Sequence, residues 1–386
     1  MKPVLLRFGL IAAILAGIIM TPGLTYARIP QLYTSAEAAA VVDVSSGRIL
    51  YSKHGDKRMR IASLTKVMTA IVAIEQGNLA DLVTVSKNAA GKEGSSIYLK
   101  AGEKVSLSTL LYGLMLRSGN DAAVAIAEHV GGSLEGFVFM MNEKAAQLGM
   151  TDTHFSNPSG LDEEGHYSTA NDLAKLTAYA LKNPVFREIV KTKVKRLPNP
   201  NDTWDYIWGN KNKMLHLYEG ADGVKTGYTK LARRCLISSA TRGGQQIAAV
   251  TLNDSNDWAD HARMLDYGFK HFPLTQLARK GEPVDGTKLA IGSDFFYPLA
   301  EEEKSRISKK TVLGDPHSVS YRLGELGRLQ ISLDDEVVAS LPLYDEQHPI
   351  FRQDEKGRTE KSMWTWGKEE GYIEKLQRLG RTMFSF

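Results

Sequence analysis

Cysteine is almost missing from this chain. Of 386 residues only Cys235 is one, so no intramolecular disulfide can form and the fold must stand on packing and hydrogen bonds. Cys235 itself reads as a small core hydrophobe rather than a reactive thiol. A dominant charge is lacking too: 48 Lys and Arg face 44 Asp and Glu, a net +4. With no dense basic cluster interleaved with aromatics, that balance argues against a nucleic-acid partner. The nine histidines show no H-E-x-x-H spacing, so no metal is called for. Internal repeats and low-complexity segments are absent. What remains is ordinary globular material, 43% hydrophobic and 24% charged, enough for one large domain and a smaller one.

The N-terminus carries an address. Lys2 and Arg7 precede an apolar run over 8–20, Pro22 and Gly23 break it, and T-Y-A at 25–27 offers a small-residue cleavage site. This is the layout of a secretory signal peptide, residues 1–27. The run is shorter than the roughly 20 residues a membrane span needs. An uncleaved anchor is the alternative, and either way the working protein is exported and extracytoplasmic.

Residues 40–53 hold two apolar runs around Ser-Ser-Gly, a hairpin pattern. Helical patterns follow at 63–77, stopped by Gly77, then at 107–117, 122–129, 134–148 and 169–181. Residues 184–222 are mixed. Three strand-like segments come in quick succession at 223–229, 235–241 and 247–252, and their short separations favour antiparallel neighbours. A helix at 258–272 closes the region. The expected fold is α/β in the α+β sense, a five-stranded antiparallel sheet with helices on its faces. Beyond Pro273 short apolar runs alternate with Gly, Pro and Asp, predicting a small β-rich domain over 273–360. At 361–386, Tyr372, Ile373, Leu376, Leu379, Met383 and Phe384 share one helical stripe, interspersed with Lys368, Lys375, Arg378 and Arg381. That amphipathic tail suits an anionic membrane interface, the outer face of the cytoplasmic membrane. Packing on the β-domain is the bland reading.

Three short motifs carry the chemistry. In R-I-A-S-L-T-K, Ser63 and Lys66 open a helix three residues apart, so they lie on one face. A serine needs a base to become a nucleophile, and a lysine serves only when desolvation or a neighbouring cation keeps it neutral. Taken alone, the pair is better explained as a surface lysine and a capping serine. The second motif is S-G-N at 118–120, where Ser118 and Asn120 would otherwise be turn residues. The third is K-T-G at 225–227, in a strand continuing to Tyr228, where Gly227 lets a ligand backbone approach.

The set S-x-x-K, S-x-N and K-T-G, in that order, is the motif set of class A β-lactamases and penicillin-binding proteins. The chain resembles the serine D-alanyl-D-alanine carboxypeptidases, the low-molecular-mass penicillin-binding proteins, over about residues 36–272. Supporting stretches include F-S-N-P-S-G-L-D (155–162) and S-T-A-N-D-L-A (168–174), while L-R-S-G-N-D and N-D-S-N-D-W-A-D-H (253–261) look closest to the sporulation-associated branch. The resemblance implies a β-lactamase/transpeptidase-like catalytic domain over 28–272. It also implies the roles. Ser63 would attack the penultimate D-Ala carbonyl of a peptidoglycan stem peptide, with Lys66 as base. Ser118 would relay a proton to the leaving amine, and Asn120 would hold Lys66 and the substrate amide. Lys225 and Thr226 would draw and bind the terminal carboxylate, Gly227 would make room along the strand, and the N–H groups of Ser63 and Tyr228 would form the oxyanion hole. β-Lactam antibiotics would acylate Ser63, and no cofactor is needed.

Two departures from the family stand out. Some relatives have a histidine where this chain has Tyr228, so only its backbone role carries over. Some use a later arginine for the carboxylate; Arg263 is a candidate, though a solvated helix face explains it as well. Asp172 matches a recurrent position and reads as structural. A β-lactamase would need E-x-x-L-N between Asn120 and Lys225, which is absent. A non-catalytic wall-binding or penicillin-sensing protein would be expected to have lost a motif, and all three are intact.

Overall fold

The computed structural model describes residues 30–198 and 205–351. The expected signal segment, the amphipathic tail and the motif-free stretch 199–204 lie outside the described residues. The chain divides into two compact units. The first runs to Leu277 and takes in Phe296–Ile307; the second comprises Ala278–Phe295 and the chain from Ser308 onward.

The first unit is organised by a five-stranded, wholly antiparallel sheet. Its strands are β1 (Ala38–Asp43), β2 (Ile49–Lys53), β3 (Ala221–Thr229), β4 (Arg233–Arg242) and β5 (Gln245–Leu252), in the order β2-β1-β5-β4-β3. The fold expectation is therefore met. β1, A-A-A-V-V-D, is buried along its whole length. Successive side chains of a strand point to opposite faces. Ala38, Ala40 and Val42 accordingly enter one core and Ala39 and Val41 the other. Both faces are covered, which is why the run is continuously apolar rather than alternating. Small alanines let helices approach from each side.

On one face lies the large core. Helix α1 (Lys66–Gln76) passes through it with residues 66–73 all buried, so its apolar character extends round the helix instead of along a stripe. Around it stand α2 (Leu107–Tyr112), α3 (Asn120–Gly131), α4 (Leu134–Gln147), α5 (Ala170–Ala180) and α6 (Pro184–Lys191). Their starts have clear local causes: Ser106, Ser133, Thr169 and Asn183 each accept a backbone N–H of the first turn, the usual helix N-cap bond. The other face is covered by α7 (Asp257–His271), which buries Met264 and Leu265 against Val41 and Ile247.

The second unit is built on a four-stranded sheet of β6 (Leu289–Ile291), β7 (Ile307–Leu313), β8 (Gly327–Leu333) and β9 (Glu336–Asp345), ordered β6-β9-β8-β7, in which β9 runs antiparallel to both β6 and β8. The described part of 184–222 consists of α6, a ribbon pairing Val194–Leu197 with Tyr206–Gly209, and a helical turn at Met214–Leu217. Among the described residues no single helix is long and apolar enough to cross a membrane.

Candidate active site

The first motif sits where a short 3-10 turn, Ala62–Thr65, runs into α1. Ser63 is not the helix cap; it lies within that turn, and Lys66 is the first residue of the α-helix. The Lys66 ammonium is 0% exposed and meets three oxygens: Ser63 Oγ at 3.0 Å, Asn120 Oδ1 at 2.7 Å and the Ser159 carbonyl at 2.5 Å. None is a carboxylate. Burial is the chief cause holding this amine well below the ordinary lysine range, the positive charge of Lys225 and then of Lys211 adds to it, and Asp121 offsets part. A buried amine without a counter-charge favours the neutral form, which is the form a base requires.

The second motif owes its shape to an irregularity. Instead of one helix over 107–117, α2 stops at Tyr112 and the chain continues as a π-turn over Gly113–Arg117. Such wide turns are rare and are frequently found at functional sites. This one delivers Ser118 in the left-handed region, φ 64°, and then starts α3 at Asn120. The position is braced from behind. Asn120 Nδ2 donates to the Glu93 carbonyl at 2.6 Å. The fully buried Asp121 carboxylate gathers the N–H groups of Ile97 and Leu99 and the hydroxyl of Ser96. Tyr98 is bent to φ 64° between them, its own N–H donating to Ser96 Oγ, so that the N–H groups on either side of it converge on one anion.

The third motif lies on β3, the edge strand. Lys225 is 1% exposed and donates to the Thr226 carbonyl at 2.7 Å. Burial, then Lys211, pushes its pKa down to about 7. A Cβ placed on Gly227 would lie 3.2 Å from Ser63 N and 3.2 Å from Ala62 Cβ, so the strand edge and the nucleophile's turn are in close contact at this glycine and a side chain there would push them apart by a few tenths of an ångström. Tyr228, which follows, is 63% exposed.

These motifs meet in a cleft of about 430 Å³ lined by Ser63, Ser95, Ser118, Lys211, Thr226, Gly227, Tyr228, Arg234, Cys235, Asp257 and Trp258. Lys66, Asn120 and Lys225 lie behind that lining. All eight residues singled out from sequence thus converge. Arg263 does not: it pairs with Asp260 one turn away on α7 and is absent from the lining. Asp172 is structural in its contacts, accepting from Asp152 N (3.0 Å), Thr153 Oγ1 (2.9 Å) and Lys175 Nζ (3.1 Å). Cys235 is 1% exposed, and burial pushes its thiol up to about 12, so it is an inert wall residue.

Sequence reasoning missed Ser159, whose contribution is a backbone carbonyl and leaves no side-chain signal. It also missed Ser95, Lys211 and the Arg234–Asp257 ion pair, whose places in the cleft follow from long-range packing. Among the described residues no cluster of metal-ligating side chains occurs.

A family profile described as D-alanyl-D-alanine carboxypeptidase matches residues 26–256. The D-alanyl-D-alanine carboxypeptidase DacF of Bacillus subtilis is 34% identical over 336 residues, covering 82% of this chain and 86% of the relative. DacA of Escherichia coli is 31% identical over 357 residues, covering 84% of each. Among solved structures, penicillin binding protein 5 from Haemophilus influenzae superposes with a TM-score of 0.68 at 28% identity, covering 82% of this chain and 98% of that one. A D-alanyl-D-alanine carboxypeptidase from Mycobacterium tuberculosis gives 0.61 at 34% identity, covering 64% and 96%.

Proposed function

The chain belongs to the D-alanyl-D-alanine carboxypeptidase family of serine peptidases, and from that membership we propose how its own residues perform the reaction. The enzyme removes the terminal D-Ala of peptidoglycan stem peptides and is a penicillin-binding protein; the family match favours this over a β-lactamase or a non-catalytic binder. One observation carries the residue-level reading: a buried lysine amine, unpaired with any carboxylate, stands 3.0 Å from Ser63 Oγ.

Ser63 Oγ attacks the carbonyl of the penultimate D-Ala while its proton passes to the neutral Lys66 amine. The oxygen of that carbonyl gains charge and is met by the N–H groups of Ser63 and Tyr228, brought together by the close approach at Gly227. One such donor lowers the barrier by about 3–4 kcal/mol. As the C–N bond breaks, the leaving D-Ala amine takes a proton, relayed from Lys66 through Ser118. Asn120 keeps Lys66 in place. Water then cleaves the acyl-Ser63 ester and frees the shortened stem. Lys225 and Thr226 draw the substrate carboxylate toward the strand edge, along which the stem peptide lies as an added strand.

The pattern at 1–27 supports export, with the enzyme working outside the cytoplasm, and the stripe at 361–386 supports peripheral attachment to the membrane. The stretches L-R-S-G-N-D and N-D-S-N-D-W-A-D-H support a place in the sporulation-associated branch.

The test is direct. Labelled penicillin incubated with the protein should leave one adduct, located by mass spectrometry on Ser63, and Ser63→Ala should abolish both the adduct and D-Ala release from a pentapeptide. An adduct persisting in Ser63→Ala removes this serine from the mechanism.

A further inference from the structure

A second cavity lies in the first unit, apart from the cleft. Its volume is about 170 Å³, and its walls include Ile97, Leu99, Thr109, Tyr206, Trp208 and Glu103. A cavity of about 150 Å³ takes benzene, so this one suits a ring or short alkyl chain with a small head group. Most of the wall is apolar, and Tyr206 stacks on Trp208 with ring centres 5.3 Å apart. Glu103 is the exception. It is 9% exposed, and its backbone is held on both sides: its N–H donates to the Lys100 carbonyl at 3.0 Å, and its carbonyl accepts Val85 N at 2.8 Å. Oε2 accepts Lys100 N at 2.9 Å, while the buried Oε1 meets no donor among the described residues. Lys104, also on the lining, is exposed, so water and salt screen its charge. A buried carboxylate oxygen without a donor is costly, and a ligand that brings one would relieve it.

The cavity is joined mechanically to the active site. Ile97 and Trp208 rest on Gly113, the first residue of the π-turn that leads into Ser118. A Cβ on Gly113 would fall 2.6 Å from Ile97 Cδ1 and 3.3 Å from Trp208 Cη2. Ile97 also reaches Gly119, the middle of S-G-N, where a Cβ would lie 3.3 Å from Ile97 Cγ2. Two residues back along the same segment, the Ser95 carbonyl accepts Asn120 N at 2.7 Å, and Lys211 Nζ donates to the Ser95 hydroxyl at 3.1 Å. One short segment therefore has Ser95 in the cleft and Ile97 and Leu99 in the cavity.

We propose that this cavity is a regulatory site for a primary ammonium carried on a short apolar body, and that its occupancy steadies Ser118. The ammonium donates to Glu103 Oε1. The body packs on Ile97, Leu99 and the aromatic pair, whose ring faces draw positive charge. Apolar side chains that border a cavity lack contacts on that side. The ligand supplies them, holds Ile97 and Trp208 against Gly113 and Gly119, and so fixes the S-G-N motif in the geometry that acylation uses. The site goes beyond the carboxypeptidase reading; only its effect on acylation rests on it.

The probe is 2-phenylethylammonium, titrated into the full chain by calorimetry, with phenylacetate as a control of similar size and opposite charge. The cation should bind saturably with a Kd on the order of 1 mM, and phenylacetate should not bind. Protein already acylated by penicillin should bind the cation equally well, because the cleft is not the site. Glu103→Gln should weaken binding about tenfold or more, as expected for one charged hydrogen bond, and Thr109→Phe, which fills the cavity, should abolish it. At saturation, stopped-flow acylation of the wild type by penicillin should quicken about fivefold, a modest coupling between two sites. The inference is overturned if the cation does not bind, if phenylacetate binds as well, if acylated protein has lost the site, or if acylation is unchanged at saturation. Those comparisons need only the wild type, so they decide the matter even where a variant fails to fold; full affinity in a folded Glu103→Gln or Thr109→Phe overturns it too. Failure of penicillin to acylate the wild type would instead overturn the carboxypeptidase reading, and the coupling with it.

Discussion

Lys225→Met should make the protein more stable at pH 7 while disabling it. Burying this amine depresses its pKa from 10.5 to about 7. Between those values the unfolded chain binds a proton that the folded chain does not, so wild-type stability rises with pH through that window and the penalty is gone above it. At pH 7 the cost is about 4 kcal/mol. Methionine fills nearly the same volume without a charge to desolvate. It gives up the bond to the Thr226 carbonyl (2.7 Å), worth about 1 kcal/mol. The net gain at pH 7 is therefore about 3 kcal/mol, shrinking to less than about 1 kcal/mol at pH 10. Acylation by penicillin should fall on the order of 100-fold, because the preorganised charge is lost. Urea unfolding of both proteins at pH 7 and pH 10 measures the difference. A variant less stable than wild type at pH 7, or a difference that does not change between the two pH values, refutes the reasoning.

Three further outcomes follow from the same geometry. His166 is buried, its Nδ1 accepting Ser156 N at 3.0 Å and its Nε2 meeting Thr65 Oγ1 at 2.8 Å beneath the nucleophile's turn, and burial first, then His154, Arg60 and Lys66, lowers its pKa to about 4. The unfolded chain binds the extra proton between pH 6.5 and about 4, so stability falls by up to about 3 kcal/mol as pH drops through that range, and His166→Gln should flatten this acid limb in thermal melts at pH 4–7. Gly160 has φ +79°, and a Cβ there would fall 1.8 Å from the Ala62 carbonyl; Gly160→Ala should cost about 3 kcal/mol or more and slow penicillin acylation, measured by denaturation and stopped-flow, since both the Ser63 turn and the Ser159 carbonyl must shift. Asp121→Ala strands the Ile97 and Leu99 N–H groups and the Ser96 hydroxyl, and should lower stability by about 3–5 kcal/mol, with faster amide exchange over residues 95–99.

Much of the fold was legible because local signals agreed with the tertiary result. The two apolar runs around Ser-Ser-Gly at 40–53 marked a hairpin, Gly77 marked the end of α1, and the spacing of 223–229, 235–241 and 247–252 favoured antiparallel neighbours. The failures have physical causes. A π-turn adds one residue to a turn without disturbing the apolar pattern, so 107–117 read as a single helix. Residues 184–222 resisted assignment because their strands are four residues long and gain their order from pairing, not from propensity. Lys211 lies in that stretch, and nothing in its neighbourhood in the chain announces that it faces a serine far away in sequence.

By itself the sequence determined which chemical groups are present and how the nearest of them are spaced. One helical turn puts a hydroxyl and an amine on the same face, and a glycine after K-T leaves a strand edge bare. Only the tertiary structure decided the protonation of that amine. Its charge depends on how completely water is removed and on the fields of Lys225 and Lys211, and these arise when distant segments pack into one core.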